Sequence, residues 1–130
     1  MKETLAQIKH KHSRLINGKR HVWDVGKLWE LSERLPVKRI KIESVKELDQ
    51  DCWFGIGSTS TPTIRNVAKH CKRIIEAKME YPILLSSDGR LIDGGHRIAK
   101  ALIHGQPEVD AVFIESLPAA DVVLDANAKI

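Results

Sequence analysis

Apolar side chains recur at helical spacing from Lys2 to Ile16 (Leu5, Ile8, Leu15 and Ile16, with His12 in step), which predicts a first helix ended by Asn17-Gly18. Asp24 is a good N-cap for a second helix, with Leu28, Trp29, Leu31 and Leu35 on one side and Pro36 as its stop. From Val37 to Ile42 the period shortens toward two, a strand, and Ser44 to Leu48 reads as one helical turn. Thr61-Pro62 supplies a cap followed by proline in the first helical position. The helix beyond it, Thr63 to Met79, carries one stripe of Ile64, Val67, Ala68, Cys71, Ile74 and Ile75 against Arg65, Lys69, Lys72 and Arg73. That placement makes Cys71 a small core residue.

Pro82 to Leu85 is a compact apolar strand, Ser86-Ser87-Asp88-Gly89 a hairpin turn, and Arg90 to Ile92 the returning partner. Asp93-Gly94-Gly95 breaks the strand, a helix follows to Gly105, and Val109 to Ile114 alternates as a last strand. Strand, helix, hairpin, helix and strand in that order predict an α/β (α+β) fold, a small mixed sheet with flanking helices. The expected divisions are a basic helical extension over 1–35, the domain over 36–117 and a tail over 118–130.

With 130 residues, 42% of them hydrophobic, the chain can bury a core, and no apolar run is long enough for a membrane span. No apolar stretch follows the first lysine, so no secretory signal is expected, and two cysteines cannot build a disulfide framework. A reduced, cytoplasmic protein is the expectation. The net charge of +4 is unevenly placed: residues 1–21 hold six basic side chains against Glu3 alone, with three histidines interleaved. Such an arm can steer toward DNA or another polyanion, or can simply be a solvated tail.

The chemistry concentrates at Asp93-Gly94-Gly95-His96-Arg97. Glycines at a strand-to-helix turn let backbone approach a ligand, and the helix start presents unpaired N–H groups and the positive end of its dipole. Cations are disfavoured there, yet His96 and Arg97 occupy it. A bound anion reverses that penalty, which argues for phosphate. The loop from Gly55 to Thr61 also leads into a helix, and its Ser58, Thr59, Ser60 and Thr61 could close on the same anion or serve as a plain connector. Neither loop is a Walker A or a Rossmann fingerprint. No His or Cys spacing suggests a bound metal, and His70 and His104 read as bystanders.

Taken together, Pro82 to Ile114 with its Asp93-Gly94-Gly95-His96-Arg97 turn resembles the ParB/sulfiredoxin superfamily over about residues 36–117. Sulfiredoxins carry a catalytic cysteine where this chain has Gly95, so sulfinic acid reduction is not implied. The ParB pattern Gly-Glu-Arg-Arg is matched only at Gly94 and Arg97. The Asp-Gly-x-His-Arg of the free-serine-kinase branch fits Asp93, Gly94, His96 and Arg97 best. The resemblance implies a nucleotide (ATP, ADP or CTP, with Mg²⁺) held at Gly94, Gly95, His96 and Arg97 with help from Ser58 to Thr61. It also implies a phosphotransferase role for Asp93, with Glu43 as the foremost candidate base and Glu47, Asp49 and Asp51 as rivals. The alternative it leaves open is a non-enzymatic module that binds nucleotide or DNA through residues 1–21.

Overall fold

A computed structural model describes residues 4–55, 58 and 60–130. Its strands are β1 (Lys11–Ile16), β2 (Lys19–Asp24), β3 (Lys38–Lys41), β4 (Ile83–Ser86), β5 (Leu91–Asp93), β6 (Glu108–Ile114) and β7 (Val122–Asp125). The helices are α1 (Val25–Leu31), α2 (Ile64–Glu76) and α3 (Gly95–Ile103), with short 3-10 turns at Leu5–Gln7, Ile42–Ser44 and Lys46–Asp49.

The main sheet runs β3-β6-β4-β5; β4 and β6 are parallel and the other pairs antiparallel, so the expected mixed sheet with flanking helices is present. Alternation along β4 divides the core. Ile83 and Leu85 join Ile42, Val45, Ile98, Ala101, Val109 and Ala111 on the α3 side. Leu84 joins Ile92, Val112 and Ile114 on the other, beneath Leu28 of α1 and Trp23. The β4–β5 turn is as expected, closed by Gly89 with φ +83° and a Gly89 N–H bond to the Ser86 carbonyl.

The first helix is not formed. Beyond the Leu5–Gln7 turn the chain makes a β-hairpin, β1 against β2, in register from Lys11 opposite Asp24 to Ile16 opposite Lys19. Asn17 (φ 52°) and Gly18 (φ 75°) form its two-residue turn, both in the left-handed region that matches strand twist. The helical spacing was coincidental: of its apolar members Ile8 is buried while Leu15 and Ile16 are exposed. β7, from the expected tail, pairs with β2 and completes a second, three-stranded sheet. The extension and the tail thus form one element, packed on the open face of the main sheet through Trp23, whose indole N–H bonds the Pro118 carbonyl.

Asp24 caps α1 as expected, accepting from the Gly26 N–H, but the helix stops at Leu31, where Ser32 bonds the Leu28 carbonyl. Thr63, not Thr61, caps α2, its hydroxyl accepting from the Asn66 N–H. The larger correction concerns the direction α2 faces. Ile64 is 93% exposed, Ala68, Cys71 and Ile75 are exposed too, and no residue of the helix is buried. Asn66, His70, Ile74 and Ala77 face the body instead, so Cys71 is a free surface thiol and not a core residue.

Candidate functional site

The strand-to-helix turn holds the geometry expected of it. Gly94 caps α3 with φ +118°, and a Cβ there would meet Ile83 Cγ2 at 2.5 Å, so only glycine fits. A Cβ on Gly95 would meet the Trp53 indole at 3.4 Å. The indole is parallel to the His96 ring, 4.7 Å away, and stacks equally close on His70. His70 Nδ1 and His96 Nε2 are 2.8 Å apart, one donating to the other. His70 is thus no bystander, whereas His104, the C-cap of α3, is exposed.

The turn opens on a cavity of about 500 Å³. Gly94, Gly95, His96 and Asp93 line it from the turn, His70 and Arg73 from α2, and Glu47, Arg90, Asp51 and Trp53 from the loops and β5. The hairpin supplies the facing wall with Lys11, His12, Ser13 and Arg20. Four Lys or Arg side chains therefore face three Asp or Glu side chains, and His12, His70 and His96 add no charge at neutral pH. Burial, then His70 and Arg73, hold His96 down to about 4. Burial, then Arg14 and Arg90, bring His12 to about 4 as well, and its Nε2 accepts from Arg14 Nε at 2.9 Å. Burial and Arg73 lower His70.

Asp93 has one hydrogen bond and two longer contacts with basic side chains. Trp29 Nε1 bonds Oδ2 at 2.7 Å, Arg97 Nη2 lies 3.6 Å from the same oxygen, and His10 Nε2 lies 3.5 Å from Oδ1. Arg97 does not line the large cavity. Its guanidinium stands behind Asp93 beside a separate cavity of about 180 Å³ bounded by Met79, Tyr81 and Ile83, so it is placed to orient Asp93.

Glu43 lies exposed on the Ile42–Ser44 turn, outside the cavity. Glu47, four residues on, faces into it; its Oε1 accepts from the Leu91 N–H and its Oε2 lies 3.9 Å from Arg90 Nε. Asp51 also lines the cavity but caps its own loop through the Trp53 and Phe54 N–H groups, and Asp49 is exposed. Ser58 lines the cavity and donates to the Trp53 carbonyl; Ser60 and Thr61 do not line it, and Thr59 lies outside the described residues.

Sequence reading missed Trp53, Arg73, Arg90 and the hairpin's contribution. Only the hairpin had a usable signal, since Asn-Gly between two six-residue runs marks one. Its cations are not all free for a polyanion: Arg14 donates to His12 and Ser86, and Arg20 to Ser13. Among the described residues no three His, Cys, Asp or Glu side chains gather as metal ligands, and no helix is long and apolar enough to cross a membrane. No family model matches the chain, and neither does any curated protein or solved structure.

Proposed function

We propose that the chain is a nucleotide-binding domain of the ParB/sulfiredoxin type, holding the phosphates of ATP, ADP or CTP at the amino end of α3. The observation that carries this reading is that Gly94, Gly95 and His96, at the amino end of α3, line a large cavity in which Lys and Arg side chains outnumber those of Asp and Glu. Backbone N–H groups, the helix dipole and Arg73 and Arg90 supply what a polyphosphate needs. His96 and His70 are neutral when the site is empty of charge and become donors to an arriving phosphate by taking up protons.

A phosphotransferase fits the same residues. Glu47 faces the cavity and can accept a hydroxyl proton, a role for which Glu43 lies too far out. Asp93 keeps Oδ1 open apart from the exposed His10 ring, so that oxygen can take a hydrated Mg²⁺ carried on the phosphates. The cation would neutralise phosphate charge.

Thermal melting with ATP, ADP, CTP and GTP plus Mg²⁺, beside His96→Gln, tests the reading. At one hundred times its dissociation constant a ligand adds about 2.7 kcal/mol of stability. A rise in Tm with one nucleotide that the variant loses supports the site; no rise with any of the four overturns it.

A further inference from the structure

Arg20 is the most buried cation among the described residues, 7% exposed, and it lies in the cavity wall. Its Nη1 donates to Ser13 Oγ at 3.1 Å, its Nε has no hydrogen-bond partner, and no carboxylate among the described residues forms an ion pair with it. A guanidinium removed from water without a counter-charge is costly, and a fold that keeps one leaves a place for an anion. Lys11, next but one to Ser13 along β1, lines the same wall. This wall belongs to the hairpin and not to the α3 turn, which it meets at His10 and Asp93.

We propose that the β1–β2 hairpin carries an oxyanion subsite of its own, in which Arg20, Lys11 and Ser13 take one carboxylate or phosphate group. Arg20 offers a planar fork of N–H donors that suits a two-oxygen acceptor, Lys11 adds a point charge, and the Ser13 hydroxyl remains free to donate. Two sources share this chemistry: the far end of a molecule anchored at the α3 turn, or a separate acidic second substrate. A cavity of about 500 Å³ accommodates either. The subsite does not depend on what the α3 turn binds.

The test follows Tm of the full chain in a Hepes–chloride buffer as inorganic phosphate or succinate is titrated. Wild type, Arg20→Met, Lys11→Ala and His96→Gln are compared. The wild type is expected to respond saturably to at least one probe, with apparent affinity at least tenfold weaker in Arg20→Met and in Lys11→Ala, while His96→Gln removes only the part of a phosphate response that belongs to the α3 turn. Without probe, Arg20→Met should melt no lower than wild type, because it removes a buried charge that has no counter-charge. Response to succinate assigns the subsite to an acidic second substrate; response to phosphate alone assigns it to a phosphate end.

Equal responses in wild type and both hairpin variants overturn the proposal, as does no response to either probe. A loss of anion-free stability in Arg20→Met, with Lys11→Ala responding as wild type, gives Arg20 a purely structural role and overturns it too. Should Arg20→Met fail to fold, Lys11→Ala decides alone. An Arg20-dependent response in a protein that ATP, ADP, CTP and GTP leave unmoved supports the subsite and overturns only the nucleotide reading.

Discussion

His70 Nδ1 stands 2.8 Å from His96 Nε2, and the Trp53 indole covers both rings. Two imidazoles in that contact share one proton well and two badly, since a second would set like charges together beside Arg73. The pair therefore links α2 to the start of α3 until both rings are protonated.

Acid should loosen the fold through these rings. His12 and His96 titrate at about 4 in the folded chain and His70 is lowered, against an ordinary value of 6.5. Across that interval the unfolded chain binds more protons, so stability is full above pH 6.5 and falls as pH drops toward 4. Tm measured from pH 4 to 8 should show that slope, with a shallower one in His96→Gln. A Tm independent of pH over the interval would contradict it.

Gly94→Ala should cost about 3 kcal/mol, the sum of left-handed strain and a clash with Ile83. In a domain of this size that lowers Tm by roughly 10 °C. Gly95→Ala meets only the edge of Trp53 and should cost under about 1 kcal/mol. Melting curves of the two variants separate a glycine required by the fold from one required for close approach.

Asn17→Ala should destabilise the hairpin by about 1 kcal/mol, because alanine tolerates φ 52° poorly, and Asn17→Gly should restore it. Chemical denaturation of the three proteins gives the comparison. If alanine proves neutral, the turn does not hold the conformation described.

The two thiols should react at different rates. Both are exposed, but burial together with Glu47 and Asp51 raises the Cys52 thiol, which keeps less of it as the reactive thiolate. Ellman's reagent on Cys52→Ser and Cys71→Ser at pH 7.5 should find Cys71 the faster. Equal rates, or a slow Cys71, would mean that its surface is covered.

The main sheet was legible because short strands with fixed turns, such as Ile83–Ser86 followed by Asp88-Gly89, leave little choice of pairing. The turn at Asp93 to Arg97 was legible for a similar reason: two glycines before a helical stretch admit few backbones. The hairpin was not, because Leu5, Ile8, Leu15 and Ile16 satisfy a helical period by accident while Asn17-Gly18 suits either ending. Glu47 could not be ranked above Glu43 by spacing, since which carboxylate enters the cavity depends on how two 3-10 turns follow β3. The orientation of α2 was beyond reach as well. Its apolar stripe predicts an inward face, and the polar face carrying His70 is the one that docks.

That orientation has a thermodynamic consequence. Helix α2 adds no buried residue to the core, and its named polar ties to the body are the His70–His96 contact and Lys100 Nζ, which donates to the Ile75 and Ala77 carbonyls. Detaching it sacrifices little apolar burial, so it is the segment whose amides should exchange with solvent by opening as a unit, well below the free energy of global unfolding. Each such opening carries away His70 and Arg73 and dismantles one side of the cavity. A molecule held between α2 and the α3 turn would slow that exchange in proportion to its own affinity, turning the least protected helix into a gauge of occupancy.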